Sequence, residues 1–566
     1  MQTPHVKTFK VAQYLVLAFL VLAIGYHLAE KQLVNHQTWK SRLAAQYDKD
    51  FTIRQNRAHI ADRHGFQLAV STKAYSIYGI GSEIENTRDA ASRIAQAMGM
   101  ADYGPIYNRI AGRTGFFWIA RNVDPLVASR IGTIKGVGLL EGERRFYPDG
   151  DLFGKLLGFT GVDIQGLEGI EHRFDERLKG QEVRVTVYRD ARRRDIMLEP
   201  ISTQQNSLKK PPLTLSVDSR LQAFVESSVQ QFLQEHEAKA ISVVAMDPFN
   251  GEVLSIYSWP SYDPNNFSNY PRQRWRNDAI ANTFEPGSTF KLITYAAALK
   301  SRSITLQDIF FGENGEYREG NRTIRDTVPM GWASVAEAFG QSSNVITSKI
   351  AAQIPAEVFH STIRDFGFGA ATGIELSGES AGLLRPPSQW SRLSQTSLSM
   401  GYEISVNALQ MVRAYAAAIN GGYLVQPTIL KGANQGREWE AILDPQTADA
   451  MKSLLLRVVE KGTGRNASHK YFTIGGKTGT AQKLDPVEGY TRDRHLASFV
   501  GFFPYEQPQV VMGVFIDEPK VAVKQQNAEG PVYVSSYGGA VAAPLFRDIA
   551  GKYINYYTIV PDRKSN

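Results

Sequence analysis

The chain has 566 residues, of which 43% are hydrophobic and 21% charged: a folded globular composition on a chain too long for one ordinary core. There is no cysteine, which excludes disulfides, thiolate metal sites and cysteine nucleophiles. The net charge of +7 would suit an anionic partner, but Lys and Arg are scattered and no nucleic-acid-binding motif is present.

The first predicted element is an apolar helix over residues 11–29, VAQYLVLAFLVLAIGYHLA, which carry no Asp, Glu, Lys or Arg. A helix of that length reaches about 28 Å, close to the hydrocarbon thickness of a bilayer. Lys7 and Lys10 precede it in an acid-free flank. By the positive-inside rule, residues 1–10 then lie in the cytoplasm and the bulk of the chain outside. A cleaved signal peptide is the competing reading, through the small residues Ala23 and Gly25. The length of the apolar run favours a retained anchor.

Residues 30–210 alternate short Val, Ile and Tyr-rich segments with glycine and charged turns, as in GQEVRVTVYRDARRRDI at 180–196, and are expected to form a mixed, strand-containing domain. Residues 192–195, RRRD, are expected to be a solvated turn. Pro211 and Pro212 ahead of a strand mark a boundary, so a second domain is expected over 211–566. Apolar spacing at Leu221, Phe224, Val225, Val229 and Phe232 predicts a helix over 219–236. ISVVAMDPFNGEVLSIYSWP then predicts a hairpin turning at 248–251.

In NTFEPGSTFKLIT, residues 282–294, Pro286 and Gly287 form a turn ahead of an apolar helix beginning at Thr289. Ser288 falls in its first turn, and Lys291, three residues on, shares its face, so hydroxyl and amine can touch: a nucleophile beside a possible base. The same spacing recurs at Ser207 and Lys210, but Pro211 and Pro212 follow directly and disfavour a helix there. The chain to about residue 465 reads as largely helical and contains Ser342 and Asn344 in GQSSNVITSK; a second Ser-x-Asn lies at Ser405 and Asn407. Strands return in YFTIGGKTGTAQK, LASFVGFFP and QVVMGVFIDE, and a last helix is predicted from near Ala543. This order is α+β, one sheet being completed by distant segments. Taken singly, the Ser-x-Asn pair and the Gly-rich strand each have a structural explanation, as a helix cap and as a bulge.

Their order, Ser288 to Lys291, Ser342 to Asn344, then Lys477, Thr478 and Gly479, resembles the motif set of penicillin-binding transpeptidases, and the last three form the only Lys-Thr-Gly triplet in the chain. AMDPFNGEVLS, WPSYDPNNF, SMGYEISVNALQM and SYGGAVAAPLF resemble further stretches of the same domain. RAHIADRHGFQLA at 57–69 and RFYPDGDLFGKLLGFTGVDIQGLEGIE at 145–171 resemble the pedestal of the class B, monofunctional type, and the latter looks most like the septal division enzyme.

The resemblance implies an antiparallel sheet flanked by helices plus a helical subdomain, over 211–566, on an elongated pedestal over 30–210 behind a single membrane helix. It implies a D,D-transpeptidase that crosslinks peptidoglycan stem peptides through an acyl-enzyme on Ser288, needs no cofactor or metal, and is acylated by β-lactams. Lys291 would act as base, its pKa lowered by burial and by the like charge of Lys477. Ser342 would relay a proton, Asn344 would bond substrate or Lys291, and Lys477 would supply positive field. Thr478 and Thr480 would hold a carboxylate, and Gly479 would let another backbone approach. The amides of Ser288 and Thr480 would form the oxyanion hole. The implied partners are lipid-linked nascent strands, a membrane glycosyltransferase and other division proteins. An elongation-type enzyme, a D,D-carboxypeptidase or β-lactamase, and a non-catalytic division scaffold are the alternatives.

Overall fold

The computed structural model describes residues 4–35, 37–38, 48–54, 56–180, 182–189, 195–196, 210–485, 489–521, 526–527, 530–531 and 536–563. Contacts divide the chain into two units, Met1–Ala58 with Lys179–Pro211, and His59–Leu178 with Pro212–Asn566. In the first unit, helix α1, Pro4–Ala29, exposes apolar side chains on every side, among them Phe19, Leu22 and Tyr26. The helical stretch Val11–Gln32, which runs past the end of α1 into a π-helical turn at Glu30–Val34, has 22 residues of mean hydropathy 1.9 and is long and apolar enough to cross a membrane. The same unit holds a three-stranded sheet of Asp48–Arg54, Glu182–Arg189 and Asp195–Ile196. The charged stretch expected as a turn falls mostly outside the described residues, as does Ser207 of the second Ser-x-x-Lys.

The second unit contains both an upstream and a downstream part. Upstream, strand Gln67–Ile80 pairs on one side with Val137–Phe146 and on the other with Phe116–Val123. Ile77, Phe117 and Ile119 pack there against Ile94, Ile106 and Ile131 of three helices. Residues 59–178 are joined to the downstream part through Ile60–Ala61, which runs parallel to Leu213–Thr214. The Asp62 carboxylate accepts from the Ser219 hydroxyl at 2.7 Å in the same seam.

Downstream, helix α2, Ser219–Glu235, starts where the Asp218 carboxylate accepts from the amides of Arg220 and Leu221, satisfying donors a helix start leaves orphaned. Strands β1, Ala240–Met246, and β2, Val253–Trp259, form the expected hairpin. Helix α3, Lys291–Lys300, follows a 3₁₀ turn at Gly287–Phe290, and helix α4 is Asn344–Ala351. Helix α5, Pro445–Lys461, precedes strands β3, Gly475–Asp485, β4, Gly489–Phe503, and β5, Val510–Asp517, and helix α6, Ala542–Tyr556, closes the unit.

The sheet order is β2-β1-β5-β4-β3, antiparallel throughout, so segments over two hundred residues apart in sequence are hydrogen-bonded neighbours. Val243 lies opposite Tyr257 on one side and Val514 on the other, and Lys477 opposite Val500. One face of the sheet buries Val243, Phe499, Met512 and Val514 against Leu221, Val225 and Val229 of α2 and Phe546 and Ile549 of α6. Burial of this kind is worth about 25 cal/mol per Å² of apolar surface and holds the sheet as a rigid floor.

The middle of the chain differs from the helical expectation between α3 and Ser342. Ile309–Phe311 pairs with Trp332–Ser334, and Glu316–Glu319 with Arg322–Arg325. Strands of three or four residues are too short for period-two alternation to emerge from the sequence. Their turns are marked instead by left-handed Glu313, Asn314, Gly315 and Gly320.

Candidate active site

Gly287 sits at φ +56°, a left-handed conformation that costs glycine little, and this bends the chain into the turn carrying Ser288. The Thr289 hydroxyl donates to the Pro286 carbonyl at 2.7 Å, tightening the turn. Ser288 therefore lies on a 3₁₀ turn and the α-helix begins at Lys291, two residues later than the spacing alone suggests. Pro286, Gly287, Thr289 and Phe290 are buried around it, while Ser288 itself is partly open to solvent.

Lys291 is fully buried. Its Nζ donates to the Ser342 carbonyl at 2.6 Å, to Ser342 Oγ at 3.3 Å and to Asn344 Oδ1 at 2.7 Å, occupying the three donors an ammonium possesses. Among the described residues no hydrogen bond joins Lys291 to the Ser288 hydroxyl, so the pair expected to touch shares a turn while the amine is held from the far side. Burial pushes the Lys291 amine down to about 7, with the negative charge of Asp326 pulling the other way. The like charge expected to help lower it acts on the partner instead. Lys477, also fully buried, is driven well below the usual lysine range by burial first and by Lys291 second.

Ser342 is the hinge between the two amines. It adopts a left-handed φ of +60°, rare outside glycine and asparagine, and Lys477 Nζ donates to its Oγ at 2.8 Å. With Lys291 on the same oxygen, Ser342 Oγ accepts from both lysines and retains its own proton to give. Lys477 also donates to the Thr478 carbonyl at 3.1 Å and stands 5.9 Å from the centre of the Phe339 ring.

Strand β3 is the edge of the sheet and lies against the Ser288 turn. A Cβ on Gly479 would stand 2.4 Å from Ser498 Oγ, 2.8 Å from Thr289 Cγ2 and 3.2 Å from the Pro286 carbonyl, so only glycine lets turn and strand come this close. A Cβ on Gly287 would meet the Thr480 carbonyl at 3.1 Å from the opposite side. The segments bearing the Ser288 and Thr480 amides are thus packed side by side. Gly475 and Gly476 serve differently, making room chiefly for the rings of Phe502 and Phe499. The hydroxyls of Thr478 and Thr480 are both engaged: Thr478 Oγ1 with Thr463 Oγ1 at 2.6 Å, and Thr480 Oγ1 as acceptor from the Gly538 amide at 3.1 Å.

All eight residues expected from the sequence are thus assigned to three adjoining segments: the Ser288 turn with α3, the Ser342 turn with α4, and β3. Asn407, of the second Ser-x-Asn, instead forms a capping box with Gln410 at the start of the helix Ala408–Ile419. Sequence reasoning missed Asp326, Thr463 and Glu285. The Glu285 carboxyl is pushed up by burial and accepts from the Glu403 amide at 2.9 Å and the Tyr490 hydroxyl at 3.0 Å. Of these three only Glu285, two residues before Gly287, stands inside a motif that could have pointed to it. Among the described residues, no group of His, Asp or Glu has the arrangement of a metal site.

The penicillin-binding protein transpeptidase domain family matches residues 241–551, and the penicillin-binding protein dimerisation domain family matches residues 52–207. The probable peptidoglycan D,D-transpeptidase PenA of Neisseria meningitidis is 32% identical over 526 residues, covering 90% of this chain and 86% of the relative. The peptidoglycan D,D-transpeptidase FtsI of Escherichia coli K12 is 32% identical over 520 residues, covering 90% and 85%. Penicillin-binding protein 3 of Mycobacterium tuberculosis, solved in complex with ampicillin, superposes with a TM-score of 0.67 at 25% identity, over 91% of this chain and 98% of that one.

Proposed function

The chain belongs to the class B penicillin-binding proteins, and we propose that it is a serine peptidoglycan D,D-transpeptidase working through Ser288 in septal wall synthesis. The observation that carries this reading is Lys291: fully buried three residues after Ser288, held by Ser342 and Asn344, and lowered to about 7. A serine hydroxyl is a weak nucleophile at neutral pH, and a lysine serves as its base only when neutral. Burial supplies that neutral amine where an exposed lysine would stay charged.

Ser288 Oγ attacks the carbonyl of the penultimate D-alanine as its proton passes to the neutral form of Lys291, which keeps two N–H donors and has a lone pair in place of the third. The Ser288 and Thr480 amides face the developing oxyanion, each donor in such a site being worth roughly 3 to 4 kcal/mol. The proton then reaches the leaving D-alanine amine through Ser342, whose hydroxyl is bridged by both lysines. An amine of a neighbouring stem peptide takes the acyl group and restores Ser288. One amide bond is exchanged for another, so no nucleotide is consumed.

Lys477 shares Ser342 Oγ with Lys291, and burial first and Lys291 second both oppose its protonation. A substrate carboxylate near Thr478 and Thr480 would favour its charged form. Gly479 lets strand β3 lie directly against the Ser288 turn, which would make that carboxylate and the turn neighbours.

Similarity to the Escherichia coli FtsI enzyme and the segment 145–171 support the septal assignment. The apolar stretch from Val11, with Lys7 and Lys10 ahead of it in the first turns of α1, supports a single-pass protein with a cytoplasmic N-terminus, acting on lipid-linked nascent strands beside a membrane glycosyltransferase and other division proteins. The test is labelling of the detergent-solubilised chain with a fluorescent penicillin. A long-lived adduct present in the wild type and lost in a folded Ser288→Ala variant is expected. An adduct that turns over rapidly would reassign the chain to a hydrolase, and none on folded wild type would leave a scaffold.

A further inference from the structure

Asn344 can serve Lys291 only if its side-chain oxygen, not its nitrogen, faces the amine. What fixes that choice is a neighbouring hairpin: Asn344 Nδ2 donates to the Arg325 carbonyl at 2.7 Å, which leaves Oδ1 for Lys291 at 2.7 Å. The next residue, Asp326, grips the same turn from beneath. Its Oδ2 accepts from the Ser343 hydroxyl at 2.6 Å, and its Oδ1 accepts from the amides of Asn344 and Val345, the latter at 3.0 Å. Ser343 Oγ meanwhile accepts from the Ile346 amide at 3.0 Å, so its single proton is committed to Asp326. Two donors at the start of α4 and one hydroxyl therefore converge on one carboxylate, directly behind a residue in strained left-handed geometry, Ser342.

We propose that Asp326 is a positioning residue for acylation: it holds the Ser342–Asn344 turn so that three acceptors meet the Lys291 amine, and it supplies the negative charge that amine faces. This rests on the transpeptidase reading and adds to it a residue outside the three motifs. The other charged groups nearby are spoken for. Lys477 shares Ser342 Oγ with Lys291, the Arg325 side chain pairs with Glu316 at 3.2 Å, and Arg322 donates to Ser397 Oγ at 2.6 Å. Lys349 pairs with Glu313 at 2.6 Å, and the buried Tyr295 hydroxyl, bonded to Thr347, is pushed up and stays neutral. Asp326 is the one charge opposing the effect of burial on Lys291.

Removing a negative charge disfavours the ammonium, so Lys291 would become neutral at lower pH. A carboxylate of purely structural importance would, when replaced, slow acylation without moving its pH midpoint.

The experiment is the rate of penicillin acylation of the full solubilised chain from pH 5 to 9, for wild type, Asp326→Asn and Asp326→Glu, with thermal melting as the check on folding. In Asp326→Asn the midpoint is expected to fall by about half a pH unit or more and the plateau rate by roughly tenfold, with Asp326→Glu restoring the midpoint. A folded Asp326→Asn variant whose midpoint coincides with wild type overturns the proposal. If Asp326→Asn does not fold, Asp326→Glu decides: its longer side chain displaces the turn and should slow acylation, so a wild-type rate overturns the proposal. A wild type that takes no adduct at all removes the transpeptidase reading and this one together, whereas normal wild-type labelling with unaltered variants removes this one alone.

Discussion

As the proposed base, Lys291 turns burial into reactivity. The folded-state value near 7 lies below that of a free lysine, so between the two the unfolded chain binds the extra proton and the native chain does not. Burying this amine therefore costs stability below about pH 7, and the cost is relieved as pH rises through that window. With Lys291 as the proposed base, the same ionisation gives the pH dependence its sign: the ammonium predominates below the midpoint and cannot accept the Ser288 proton. The acylation rate constant is expected to climb about tenfold per pH unit below a midpoint near 7 and then level off. Stopped-flow acylation across pH 5 to 9 measures this, and a rate independent of pH throughout would remove Lys291 as the base.

Among the elements, the join between the Ser288 turn and strand β3 has the least room. An alanine at Gly479 would have to displace Ser498 Oγ and Thr289 Cγ2, and Thr289 belongs to the turn that carries Ser288. Gly479→Ala is expected to cost about 1 to 3 kcal/mol of stability, in line with overpacking elsewhere, and to slow acylation more than the melting shift alone accounts for. Thermal melting alongside acylation rates separates the two effects; unaltered acylation would show that the close approach has no part in catalysis.

Legibility at this scale depended on length and pattern. The α2 helix and the β1–β2 hairpin were readable because the helix is long and periodic and the hairpin is marked by the turn at 248–251, and the closing helix α6 begins close to the predicted Ala543. The hairpins over 309–334 were not, since three- and four-residue strands leave almost no periodicity, and Asp326 was hidden with them. Thr463 was hidden differently: its contact with Thr478 joins a loop after α5 to a strand that follows it, and nothing in local sequence announces such a meeting. The Ser288, Ser342 and Lys477 motifs could be grouped only because their chain order matched a known family. Spacing suggested a direct Ser288–Lys291 contact, whereas the amine is bonded across to the Ser342 turn.

For the molecule as a whole, β1 and β2 come before the Ser288 turn and β3, β4 and β5 come after α5, so the site forms only when the five-stranded sheet is complete. Such topology makes the catalytic unit an all-or-none structure rather than one that tolerates truncation beyond Lys461. The apolar helix α1 belongs to a separate unit, and its role is tested by location. The full chain is expected in the membrane fraction after high-salt washing, and a chain lacking residues 1–35 in the soluble fraction with penicillin acylation intact. A full chain released by salt alone would contradict an integral anchor.

The proposed mechanism transfers an acyl group from Ser288 to an amine. Its most direct test is to supply the solubilised chain with a donor carrying a D-alanyl-D-alanine terminus and an amine-bearing acceptor peptide, and to quantify released D-alanine and crosslinked product together. Both are expected, in matching amounts, and both are expected to vanish in Ser288→Ala and after penicillin treatment. Release of D-alanine with only hydrolysed donor, or crosslinking that survives in Ser288→Ala, would contradict it.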